Sequence, residues 1–405
     1  MPLADVPVAL MLVGLTAYMV LAGADFGTGL WELTAGRDTF GVRLRDYAHD
    51  AMGPVWEANH VWLIFVLAVF WSAYPIAFAS VFTTLAGPLF VAVLGIILRG
   101  SAYAVRAVVR SDRERGLVDQ IFALSSIATP FALGAAIGGI ASGRVPVGNS
   151  AGNLITSWLN PTSIIIGVIA VAASGHLAAV YLAADARRQV EPRLLGAFRT
   201  RALVSGVVAG ALALIGLTVL RADTPHLFSG LDQGAGLGAV LVSGAAGVMT
   251  IGLVWFGRYE LARYAGATAV AAIIAGWAAA QAPDILPGLS IEAASAGRAT
   301  VVTVIVVMAI GALALVPSLF LLFRLFLKGA FDPSAIRESI PARQEGGRIP
   351  RSLAGILVVL LVVGSALTVF ADAGWAQALG VAALIVFLAG GFIAFATSIT
   401  GETSR

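Results

Sequence analysis

The sequence contains no cysteine, so disulfides and thiolate-bound metal centres are excluded, and nothing in it reports a redox compartment. Charge is also scarce. Only 12% of the 405 residues are charged, against roughly a quarter in soluble globular chains. Hydrophobic residues make up 59%, and the mean hydropathy is +0.93. Soluble classes are therefore excluded and an integral membrane protein is expected. The N-terminus Met1-Pro2-Leu3-Ala4-Asp5 has no basic segment ahead of its apolar run. A first spanning helix is expected there rather than a cleaved signal peptide.

Apolar windows of about 20 residues, the length that crosses about 30 Å of hydrocarbon as a helix, recur along the chain. Lipid offers backbone groups no partners, so a polytopic helical bundle follows. The expected spans lie near 6–33, 50–73, 76–105, 118–141, 159–184, 200–220, 236–256, 263–282, 299–327, 352–371 and 375–398. Prolines 88, 130, 161 and 317 are expected to kink helices. With these spans, one set of alternate loops holds only Arg144, Arg221 and Arg298. Arg99 lies inside a span, Arg405 ends the chain, and the other twenty of the 25 basic residues fall in the opposite set. The positive-inside rule then puts the N-terminus outside and the C-terminus in the cytoplasm. The basic pI reflects loops facing anionic lipid rather than a nucleic-acid surface. A polar, proline-containing linker, 329–351, separates residues 1–328 from a terminal hairpin, 352–405.

An ionisable side chain inside a bilayer costs several kcal/mol unless paired or hydrated, which makes it a functional candidate. Asp25 sits late in the first span, Glu57 and His60 early in the second, Arg99 late in the third and His176 in the fifth. In the expected orientation the first four share the cytoplasmic half. Glu57 and His60, like Trp56 and Asn59, are three residues apart and share a helix face. Glycines 23, 27 and 29 leave room around Asp25 for a neighbouring helix. In one reading Arg99 is a buried counter-ion that neutralises Asp25 or Glu57 and pins three helices together; in the other Glu57, with His60 and Asp25, is a proton-relay entry from the cytoplasm, and the two are compatible. Trp56 and Trp62 read as interface or packing residues. His49 and His226 read as surface or helix-end residues. Glu57-x-x-His60 has the spacing of a di-iron ligand pair but occurs once, so no metal site is expected. A bis-histidine haem would have to use His60 and His176.

Three motifs in order, Ala24-Asp25-Phe26-Gly27-Thr28-Gly29, then Gly53-Pro54-Val55-Trp56-Glu57-Ala58-Asn59-His60-Val61-Trp62-Leu63-Ile64, then Leu98-Arg99-Gly100, resemble subunit II of the cytochrome bd-type quinol oxidases. Trp277-Ala278-Ala279-Ala280-Gln281 and Leu286-Pro287-Gly288-Leu289-Ser290-Ile291 resemble the external segment before that family's last core helix. The resemblance implies an all-α membrane fold of two four-helix bundles plus a peripheral helix, here 1–152 and 153–328, with the terminal hairpin as an addition. It implies a chain that binds no haem itself. The partner, subunit I, would hold b-type and d-type haems and the quinol, with a small single-span accessory subunit and lipid as further neighbours. The setting would be the bacterial cytoplasmic membrane. The residues carried over by motif are Asp25, Trp56, Glu57, Asn59, Trp62 and Arg99. Where some members have an acid just after the arginine of the third span, this chain has Tyr103-Ala104-Val105. The competing expectation is a proton-coupled secondary transporter with substrate held at Asp25, Glu57 and Arg99.

Overall fold

The structure, a computed structural model, describes residues 2–36, 38–52, 56–106, 112–327, 351–371 and 373–400. The described residues are mostly helical, with one short hairpin, and the chain forms two compact units, residues 1–310 and 311–405.

In the first unit α1 (Asp5–Leu33) packs against α3 (Trp56–Ala73), α6 (Asp112–Ala141), α7 (Pro161–Arg188) and α11 (Tyr259–Gln281). Between α1 and α3 runs α2 (Thr39–Met52), whose mixed apolar and charged sequence cannot cross a bilayer. Its Leu44 and Ala48 are buried with Ala179, Leu182 and Ala183 of α7 and with Leu194 and Phe198 of α8 (Pro192–Asp223). The expected span at 50–73 thus begins later, at α3.

The run 76–105, expected as one span, is divided. Tyr74 precedes Pro75, which disfavours helical geometry at the residue before it; Tyr74 has φ −136° and ψ 61°. The chain turns by 119° into α4 (Pro75–Thr84) before α5 (Ala86–Arg106) runs on as a span. The Tyr74 hydroxyl donates to the Ala4 carbonyl, tying this corner to the start of α1.

Among the described residues, seven helices are long and apolar enough to cross a membrane, or eight if the bent α3–α4 pair counts as one span. Shorter apolar stretches at 298–313, 355–364 and 374–387 fall where the other three of the expected spans were drawn.

Proline at 161 does not kink a helix. It opens α7, behind an Asn160 cap whose side chain accepts from the Ser163 amide at 2.9 Å. Pro88 likewise lies in the first turn of α5, where no intrahelical donor is lost. Pro130 and Pro317 do lie inside helices, in α6 and in α13 (Arg298–Leu327). After α9 (Pro225–Leu231), α10 (Gly234–Trp255) ends at Gly257, whose φ of +73° lets the Arg258 amide reach back to the Leu253 carbonyl at 2.7 Å.

At the opposite end of the first unit, α11 leads into an antiparallel pair, β1 (Asp284–Leu286) and β2 (Leu289–Ser290), then α12 (Ile291–Ala294). Leu286 and Leu289 of this hairpin are buried with Val69, Tyr74, Val81, Leu85 and Val145. Arg144 clamps Asp223 there through two bonds, at 2.9 and 2.8 Å, and Thr162 adds a third to the same carboxylate at 2.7 Å.

The boundary between the units falls within α13. In the second unit α14 (Arg351–Phe370) and α15 (Gly374–Thr400) form a hairpin, closely packed where Gly364 faces Leu384 and the Gly380 carbonyl. The expected linker at 329–351 lies, except for its last residue, outside the described residues.

Candidate functional site

Asp25 and Arg99 meet in the interior of the first unit, 1% and 2% exposed. The Arg99 Nη2 donates to Asp25 Oδ1 at 2.6 Å and to the Asp25 carbonyl at 3.1 Å, while Nη1 donates to Ser126 Oγ at 2.6 Å. Three helices, α1, α5 and α6, are joined by one guanidinium. Its flat face lies 4.4 Å from the Phe122 ring centroid and 5.0 Å from that of Phe26. Aromatic faces attract a cation most when water is excluded. Of the two carboxylates offered to Arg99 by the sequence, the structure pairs it with Asp25.

Glycine lets the helices come this close. A Cβ on Gly27 would collide with the Ser174 carbonyl of α7, and one on Gly29 with the Ser126 side chain of α6. Gly23 is different, with its nearest neighbour, Ser174 Oγ, 3.5 Å from a Cβ position and in ordinary contact.

The pair does not satisfy every polar atom near it. Asp25 Oδ2 is buried with no hydrogen-bond partner, as are the Tyr18 hydroxyl and both side-chain heteroatoms of Asn59. Asn59 is only 1% exposed. Buried polar groups are nearly always bonded, so each of these calls for a water, an ion or a function. His60 approaches the same region, its ring 6.2 Å from the rings of both Tyr18 and Phe26. Trp62 packs edge-on to Phe65 at 6.3 Å and lines the small apolar cluster of Tyr18, Ala22 and Phe26, in keeping with a packing role. The side chains of Trp56 and Glu57, and residues 53–55 before them, lie outside the described residues.

His176 is held elsewhere, on α7, with Nδ1 3.0 Å from the Ala202 carbonyl and 3.4 Å from Ser205 Oγ of α8. Its ring edge abuts Gly206. Among the described residues no group of three or more His, Asp or Glu side chains is gathered as a metal site would need.

Several functional candidates were not singled out from sequence. Ser126 completes the guanidinium's bonding. Glu32, near the end of α1, is 3% exposed and its Oε1 has no partner. Arg106 bridges α2 and α6, donating to Asp46 at 2.8 Å with Nε 3.0 Å from Asp119. His49, expected at the surface or at a helix end, lies in the last turn of α2, partly buried and stacked on Tyr103 at 4.2 Å. Burial, then the fields of Arg106 and Arg99, push its imidazole down to about 3.

A model of the family described as cytochrome bd terminal oxidase subunit II matches residues 3–326. The chain belongs to that family. Among curated proteins it is similar to the cytochrome bd-I ubiquinol oxidase subunit 2 of Escherichia coli (strain K12), 25% identical over 214 residues, which are 51% of this chain and 53% of that one. It is also similar to the cytochrome bd ubiquinol oxidase subunit 2 of Bacillus subtilis (strain 168), 28% identical over 127 residues, 31% and 36% of the two chains. The alignments thus span about half, or less, of these curated relatives. Among solved structures, the bd oxidase from Geobacillus thermodenitrificans superposes with a TM-score of 0.63, covering 81% of this chain and 99% of that one at 23% identity. That likeness establishes the fold. The bd subunit II family is one of membrane oxidoreductase complexes, and the three N-terminal motifs that carried the resemblance fall within the matched region.

Proposed function

We propose that this chain is the non-haem subunit of a quinol:oxygen oxidoreductase, supporting a haem-bearing subunit I and delivering protons to it from the cytoplasm. The observation that carries the reading is the family match over residues 3–326. In this reading b-type and d-type haems and the quinol sit in the partner, in the bacterial cytoplasmic membrane, and a small accessory subunit can attach to the pair. Oxygen reduction to water consumes protons, and a proton reaching a buried haem needs titratable or hydrated groups inside the hydrocarbon.

Asp25, Glu57 and His60 are the groups assigned to that path, with Arg99 fixing Asp25 in place. The unbonded Asp25 Oδ2 and Asn59 amide support the assignment, because they are the kind of buried polar atoms that a water chain satisfies. Asn59 and Trp62 shape the helix face beside it, and Trp56, three residues before Asn59, is assigned to the same face by its spacing. His60 and His176 are read as structural rather than as haem ligands. The family match lends no support to secondary transport.

Two measurements test the reading. The chain purified with its co-expressed partner is expected to show reduced b-type and d-type haem bands; a complex without them sinks the oxidase assignment. Glu57→Gln is expected to slow oxygen consumption at unchanged haem content, and unchanged turnover would reduce Glu57 to packing.

A further inference from the structure

Tyr18, Asp25 and Glu32 recur at intervals of seven along α1, just under two helical turns, so they share one face of the helix. All three are buried, 2%, 1% and 3% exposed, and each has a polar atom with no partner. At 1.5 Å per residue they span about 21 Å of depth. Only Asp25 has a counter-ion. Among the described residues the Glu32 carboxyl has no hydrogen-bond or ion-pair partner, yet a buried carboxyl with no partner costs several kcal/mol relative to an apolar residue of the same size. Packing gives no reason to keep it.

The charged groups facing Glu32 come from three other helices: Arg106 and Arg99 of α5, Asp119 of α6 and Arg45 of α2. Arg106 in turn holds Asp46, whose carboxylate is 50% exposed at the end of α1 that the charge bias assigns to the cytoplasm. From Asp46 inward the order is therefore solvent, an Arg106-bridged pair of acids, then Glu32, then the Asp25–Arg99 pair.

We propose that Glu32 is the proton-loading carboxyl of this subunit, taking protons from the Asp46–Arg106–Asp119 layer and passing them through water toward Asp25. The proposal rests on the proton-delivery reading above. It supplies an acid on α1 in a chain that has Tyr103-Ala104-Val105 where an acid was looked for after Arg99. Each transfer balances within itself: the Glu32 O–H bond breaks toward a water on the Asp25 side, and the carboxylate recovers a proton from a water on the Asp46 side. The two carboxyls are about 10 Å apart along the helix, so at least one water must stand between them.

The test uses the intact complex of this chain with its partner. Glu32→Gln is expected to cut oxygen consumption by about a hundredfold or more, the scale on which a positioned proton-transfer group contributes. Haem content should be unchanged, and Glu32→Asp should retain most of the rate. Wild-type turnover in assembled Glu32→Gln overturns the proposal; if Glu57→Gln is slow in the same assay, proton delivery through this subunit stands without Glu32. Wild-type turnover in both variants removes that reading as well. Should Glu32→Gln fail to assemble, oxidised-minus-reduced infrared spectra of wild type and Glu32→Asp decide. A protonated-carboxyl band that shifts between the two supports the role, and identical spectra overturn it.

Discussion

At the residue scale the dominant feature is a guanidinium taken out of water. Desolvating an arginine and a carboxylate is costly, and their attraction offsets that only when further bonds complete the geometry. Ser126, the Asp25 carbonyl and two aromatic faces do so here. Removing one partner strands the other, which typically costs about 3–5 kcal/mol. Arg99→Met is therefore expected to lower the thermal stability of the purified complex sharply, and the double variant Asp25→Asn/Arg99→Met to recover much of the loss. A double variant no more stable than the single one would show that the pair is not the source. His49 makes a second prediction. Its folded value lies well below the 6.5 of the free side chain, so between about 6.5 and 3 the unfolded chain binds a proton that the folded chain does not. Stability thus falls as pH drops through that window and is unaffected above it. His49→Phe, which keeps the stack on Tyr103, is expected to flatten the acid side of the stability profile measured by thermal unfolding.

At the scale of elements, the approach of α1 to α6 and α7 depends on the absence of side chains at two positions. Gly27→Ala would force a methyl into the Ser174 carbonyl, and backbone cannot move aside as a side-chain tip does; overpacking of this kind costs about 1–3 kcal/mol. Gly23→Ala, with ordinary contact at 3.5 Å, is expected to be tolerated. Comparing assembled yield and melting temperature of the two variants checks the contrast, and equal behaviour would mean that α1 is free to shift. Much of this arrangement was legible beforehand, for physical reasons. Long apolar runs announce spans, and Asp25 and Arg99 stand out because they lie inside their helices, whereas Asp5, Glu32 and Arg106 lie near helix ends. Other features left weaker traces. The α3–α4 corner was marked by Tyr74-Pro75 but hidden inside a continuous apolar run. Helix α2 is too polar for a search based on hydropathy. Ser126 is one hydroxyl among many in apolar helices, and its partner is 27 residues away. Glu32 was overlooked because it sits at the end of its span, where a charge usually reaches water. Its seven-residue spacing from Asp25 and Tyr18 was the available signal.

At the scale of the whole molecule, proton delivery depends on which way the chain faces. The Glu32 end of α1 must lie at the proton-donating surface, and the only argument for this in the sequence is the skew of its basic residues. That skew is a sum over alternate loops, and every loop after Thr84 takes its side from whether the bent α3–α4 pair crosses the membrane. The absence of cysteine permits a direct check, since any thiol introduced is the sole target in this chain. Ser150, exposed in the segment between α6 and α7, and Gln189, exposed between α7 and α8, fall on opposite sides in the expected topology. In sealed cells Ser150→Cys is expected to react with a membrane-impermeant maleimide, and Gln189→Cys only after the membrane is opened. The reverse pattern would set Glu32, Asp46 and Arg106 at the outer surface, away from cytoplasmic protons, and the path inferred along α1 would then have no donor.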